Sequence, residues 1–138
     1  MPARERISAG TAVAWREEAS NSLLQSPQPV GVAADEGRIA LALGDEVVVS
    51  PRPDRVEGTF VAHDAKALRV DAADDTMILA YLIEPARSEY LLDDLAAEYA
   101  VEAKPEPEAE EETAQLVRHA AVTLRLRELA DYIVRRKA

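Results

Sequence analysis

DDTMILAYLIEPARSEYLLDDLAAEY, running from Asp74 to Tyr99, is the stretch on which the reading of the chain turns. Its apolar residues recur at the spacing of about 3.6 that marks an amphipathic helix. Asp74 or Asp75 is placed to cap a first helix carrying Ile78, Leu79, Leu82 and Ile83, because a short carboxylate just ahead of the apolar run can accept the otherwise unpaired N–H groups of the first turn. Pro85 ends it. Ser88 or Glu89 then begins a second helix, in which Leu91, Leu92, Leu95, Ala96 and Tyr99 repeat at the same spacing. Just upstream, TFVAHDAKAL (Thr59 to Leu68) reads as a short strand, Thr59 to Ala62, followed by a short helix capped by His63 or Asp64 and holding Ala65, Ala67 and Leu68.

Outward from this centre the periodicity changes to two. Val30 to Ala34, Arg38 to Leu43 and Glu46 to Ser50 are β-rich runs, separated by tight turns at Glu36-Gly37 and Gly44-Asp45, the pattern of an antiparallel meander. Pro51 to Gly58 is a connecting loop. Before the meander, Met1 to Gly10 reads as a loose leader, and Thr11 as the cap of a helix reaching about Gln25, with Trp15 as a packing anchor spaced by four from Ala19. Ser26-Pro27-Gln28-Pro29 breaks that helix, so residues 1–28 are set apart as leader and N-terminal helix and residues 29–138 as the main domain. Residues 101–112, which include KPEPEAEEE, form a glutamate-rich internal loop too polar to pack. A last helix starts near Thr113, with Val122, Leu126, Leu129 and Ile133 on one face and Arg135, Arg136 and Lys137 at the end where the helix dipole favours cations.

Strands first and helices after predict an α/β domain with a mixed sheet. The chain has 138 residues, 48% of them hydrophobic, enough for one domain with a core. It contains no cysteine, so disulfides and thiolate metal sites are excluded, and a cytoplasmic setting is expected. No apolar run approaches the roughly 20 residues that span a bilayer, and no membrane partner is expected. Sixteen Lys and Arg against 26 Asp and Glu give a net charge of −10, which repels a polyanion unless cations are locally concentrated.

The residues also carry a resemblance. Asp-Thr-Met at 75–77, a helix ending near Pro85 and the Tyr-x-Leu-Asp-Asp-Leu-Ala run from Tyr90 to Ala96 closely resemble a segment of the 3′-to-5′ exonuclease domain of bacterial DNA polymerase I, of family A. TFVAHDAKAL is similar to the segment that precedes it, and LVRHAAVTLRL (Leu116 to Leu126) to the helix that closes the domain, so the likeness runs in order from Pro29 to about Ile133. The fold it implies is ribonuclease H-like: a five-stranded mixed sheet, its first three strands antiparallel, with helices on both faces. The activity it implies is proofreading, the hydrolysis of the 3′-terminal nucleotide by two metal ions held by four carboxylates, with a tyrosine orienting the attacking water. The partners it implies are the polymerase and 5′-nuclease regions of a parent chain and, through them, DNA in replication and repair. This chain would be a domain excised from that longer protein, or a truncated product of it.

The motif positions depart from the family. In PVGVAADEG, Ala34 stands at the Asp of the Asp-x-Glu pair and Glu36 at its Glu. In DAKAL, Asp64 takes the Asn position and Leu68 the metal-binding Asp. In QLVRH, Gln115 takes the Tyr position and His119 the last Asp. Two divalent cations about 4 Å apart need carboxylates for charge compensation and fixed geometry, and a single retained glutamate does not supply them. The expectation is a degenerate domain with no catalytic residue, no metal site, no cofactor of its own and an architectural role; its DNA-contacting residues are unspecified. Asp75 and the pair Asp93-Asp94 read as caps and solvent-facing residues, and His119 as packed or solvated. Two alternatives stand beside it: an active Mg-dependent nuclease with relocated ligands such as Glu36, Asp64 and Asp75, and a free-standing interaction module whose acidic segment 102–112 recruits a basic partner.

Overall fold

The computed structural model describes residues 11–54, 56 and 58–137, and the expected leader, Met1 to Gly10, lies outside them. Seven strands form one mixed sheet: β1 (Ala12–Glu17), β2 (Val30–Ala34), β3 (Arg38–Leu43), β4 (Glu46–Pro51), β5 (Phe60–Ala62), β6 (Asp74–Asp75) and β7 (Lys104–Glu106), in the order β6-β5-β2-β3-β4-β1-β7. Four α-helices accompany them: α1 (Ala65–Leu68), α2 (Thr76–Ile83), α3 (Leu92–Glu98) and α4 (Glu111–Lys137). The meander forms as expected, β2 pairing antiparallel with β3 and β3 with β4, while β5 joins β2 and β6 joins β5 in parallel.

The strand count of five is corrected to seven, and the expected N-terminal helix is a strand. In AVAWRE, Val13 is fully buried and Trp15 half-buried on alternate positions, a period of two that the four-residue spacing of Trp15 and Ala19 obscures. β1 runs parallel to β4, with Trp15 opposite Val47, and parallel to β7 on its other side. Only Ser22–Gln25 is helical in that region, a 3-10 turn whose cap, Asn21, accepts from the Leu23 N–H and donates to the Val48 carbonyl at 2.9 Å. β7 lies inside the glutamate-rich segment expected to be loop. As an edge strand it pairs along one side only, so Pro105 and two flanking polar residues suffice.

Along β2 and β3 the two faces of the sheet differ in side-chain size. Gly31, Ala33, Ala40 and Ala42 present small groups to the face that α4 crosses, where Val117, Ala120, Ala121 and Leu124 pack. Val30, Val32, Ile39, Leu41 and Phe60 present large groups to the other, covered by Leu23, Leu24, Leu68 and Val70. A helix of 27 residues, about 40 Å long, can therefore lie close to the strand backbone on the first face. Gly31 is the point of closest approach: a Cβ there would sit 2.3 Å from the Ala120 carbonyl oxygen. Among the described residues, no helix is long and apolar enough to cross a membrane.

Candidate functional site

The meander delivers Ala34 to the C-terminal end of β2, where the sheet opens into a cleft of about 510 Å³. Its walls come from three other places. His63 and Leu68 arrive from the β5–α1 segment, Leu91 to Asp94 from the start of α3, and Leu116, His119 and Thr123 from one face of α4 at successive three- and four-residue steps.

Three of the positions singled out from the sequence, Ala34, Leu68 and His119, thus line one cleft. The others do not. Glu36 is exposed on the β2–β3 turn. Gln115 accepts a hydrogen bond from Arg118 Nη2 at 3.2 Å. Asp64, with φ of 61°, caps α1 by accepting from the Ala67 N–H. Asp75 accepts from three backbone N–H groups, those of Asp64 at 2.9 Å, Ala65 at 2.8 Å and Met77 at 2.9 Å, so it caps α2 and ties down the start of α1. Asp74 pairs with Arg127 at 2.9 Å. Asp93 lies exposed at the cleft mouth, 2.9 Å from Arg118 and 3.2 Å from His119. The second helix of the opening stretch starts at Leu92, with Leu91 at the cap and no side-chain cap bond, rather than at Ser88 or Glu89.

His63 was singled out in the sequence only as a possible cap, and it proves to be a half-buried tie. Its Nε2–H donates to the Tyr90 carbonyl, which can only accept, and in the neutral ring Nδ1 accepts from the Thr76 hydroxyl at 2.8 Å. Burial holds its pKa below 6.5, against the opposing pull of the Tyr90 bond and of Asp75 and Asp64, and His119 pushes in the same direction as burial. Both ring nitrogens are therefore engaged within the protein. Apart from Asp94 and Thr123, the remaining lining is apolar, from Val32, Ala33, Leu91, Leu92 and Leu116. No sequence pattern marks those residues, because each belongs to a helix or strand periodicity that core packing already explains.

This donor set does not fit a pair of divalent cations. The alanine and leucine side chains that line it offer no oxygen, His63 is committed on both nitrogens, and Asp93 is paired with a guanidinium. Among the described residues, no three His, Asp or Glu side chains are grouped so as to hold an ion, and Glu36, Asp64 and Asp75 form no such group. No protein-family model matches the chain, and no curated protein matches it.

Proposed function

We propose that this chain is a degenerate 3′-to-5′ exonuclease-type domain of a bacterial family A DNA polymerase I, ribonuclease H-like in fold and retained as a structural module of a replication and repair enzyme. One observation carries the reading. Ala34, Leu68 and His119 were picked out by motif position alone, come from three separate elements, and line a single cleft. Unrelated positions have no reason to meet in this way, whereas the ligand positions of one metal site must. Two further features support it: β2 to β6 make a five-strand mixed set whose first three members are antiparallel, and the Asp75 that opens α2 serves as a cap. The same cleft explains the lost chemistry, since its walls offer methyl groups where hydrated Mg²⁺ needs anionic oxygen.

The reading is tested by restoring the ligands. A variant carrying Ala34→Asp, Leu68→Asp and His119→Asp, with Glu36 kept, is expected to gain saturable Mn²⁺ binding by calorimetry that the parent chain lacks. A folded variant that binds no more Mn²⁺ than its parent would show that these positions are not the ligand positions. A coding sequence that continues directly into a polymerase region after Ala138 would support the same reading from outside the domain.

A further inference from the structure

Residues 84–91 connect α2 to α3 along one side of the cleft, and they are exposed except for Ala86, Arg87 and Tyr90 positions read along the chain as Arg87 and Tyr90 half-buried. Among the described residues, no backbone–backbone hydrogen bond joins residues 85–90 to the rest of the chain. Side chains hold the segment instead. The Tyr90 hydroxyl donates to the Glu84 carbonyl at 2.6 Å, Arg87 pairs with Glu84 and Glu98, and the Tyr90 ring meets Tyr81 edge-on. Those ties run within the segment or to its own flanking helices. The tie to the β5–α1 side of the cleft is His63, whose Nε2–H donates to the Tyr90 carbonyl. Beyond it, Asp93 in the first turn of α3 meets Arg118 at 2.9 Å and His119 at 3.2 Å on α4, and Leu95 anchors α3 in the core. Leu91, exposed beside the cleft, lies between these two points. A segment with few backbone bonds and little buried surface opens at low cost.

We propose that residues 84–91 form a strap along the cleft, fastened while His63 is neutral and released from the Tyr90 carbonyl when His63 takes up a proton. The charged groups around the ring come from each element packed there: Asp64 at the start of α1, Asp75 at the start of α2, Asp93 and Asp94 on α3, and Arg118 and His119 on α4. Asp75 and Asp64 already accept backbone N–H groups, and Asp93 is paired with Arg118. Burial lowers the His63 pKa below 6.5, outweighing the Tyr90 bond, Asp75 and Asp64, and His119 adds to the lowering. The fastened state therefore resists the proton, and a released strap that lets water reach the ring accepts it. Fastening is complete above 6.5 and weakens as pH falls toward the lower pKa of the fastened state. Release moves Leu91 away and widens the entrance to the apolar lining of Val32, Ala33 and Leu116, while α3 stays on Leu95. None of this depends on the descent of the fold, so it stands or falls apart from the Mn²⁺ restoration above.

The test is amide hydrogen exchange of the full chain at pH 7.5 and 5.5, expressed as protection relative to the unstructured rate at each pH. The reporter is Leu95, whose N–H donates to the Leu91 carbonyl at 3.0 Å and loses that partner when the strap lifts. Tyr99, bonded to the Leu95 carbonyl within α3, and Leu41, fully buried in β3, are the references. Leu95 is expected to be less protected than both, which marks a partial opening rather than global unfolding. Its protection should fall several-fold between the two pH values, with a ceiling of about tenfold for one proton taken up one unit below 6.5. His63→Gln keeps a donor and an acceptor but takes up no proton, and it should remove that fall. Asp93→Asn, which weakens the second fastening, should lower Leu95 protection at both pH values and leave the fall in place. The proposal is overturned if Leu95 in the parent is protected equally at both pH values or as strongly as Leu41. It is also overturned if His63→Gln retains the fall, or if His119→Asn alone removes it.

Discussion

Gly31→Ala is the sharpest probe of how α4 meets the sheet. The added methyl carbon would lie 2.3 Å from the Ala120 carbonyl oxygen and 2.9 Å from the Leu124 Cβ. An ordinary contact requires roughly 1 Å more separation. The first obstacle is helix backbone, so no side-chain rotation relieves it, and α4 must lift from β2 along a face that also holds Ala33, Ala40, Val117 and Ala121. Overpacking of this kind costs about 1–3 kcal/mol, and the rigid partner places the expected loss near the upper end, about 3 kcal/mol. That corresponds to a Tm lower by about 10 °C for a domain of this size. The assay is urea and thermal unfolding followed by circular dichroism, with Gly37→Ala as the control. Gly37 has nothing within 4 Å of its would-be Cβ and no left-handed φ, so it is expected to stay within about 0.5 kcal/mol of the parent. Equal stability of the two variants would refute the close seating of α4 on β2.

Three other outcomes follow from the same structure. Asp75→Ala removes the acceptor for three backbone N–H groups at once and is expected to cost about 2 kcal/mol in chemical unfolding, with Asp93→Ala, exposed at the cleft mouth, costing under about 1 kcal/mol. Phe60→Ala empties a fully buried site on the large-residue face and should lower stability by about 4 kcal/mol. His63 is held neutral by burial, so the unfolded chain takes up its proton first as pH falls. Stability contributed by the neutral ring is complete above 6.5 and declines below it, toward the lower native pKa. Carrying the parent from pH 7.5 to about 5.5 should therefore lower its Tm more than that of His63→Gln. Parallel curves for the two proteins would contradict this assignment.

How far the sequence speaks depends on whether a residue acts locally. The β2–β4 meander was legible because its turns carry glycine and its strands continuous apolar runs, and Asp75 because a cap acts on its own next residues. β1 was misread because Ala12, Ala14 and Ala19 fit either period, and what fixes the strand is its place between β4 and β7, far off in the chain. β7 could not be read at all, since a polar edge strand exists only through its partner. The start of α3 was missed by a few residues because Tyr90 and its neighbours are held by His63 and by the Tyr90 hydroxyl's bond to the Glu84 carbonyl, not by a local cap. Of the cleft, the sequence supplied Ala34, Leu68 and His119 through motif position. Its depth and its largely apolar lining depend on how α3 and α4 stand against the sheet.

The central claim is that the fold has outlived its metal chemistry. It is tested most directly by incubating the parent chain with a 3′-labelled single-stranded oligonucleotide in Mg²⁺ or Mn²⁺ and measuring released mononucleotide. The account predicts no release above the metal-containing buffer. Metal-dependent release that Glu36→Ala abolishes would contradict it and place an active nuclease in this cleft.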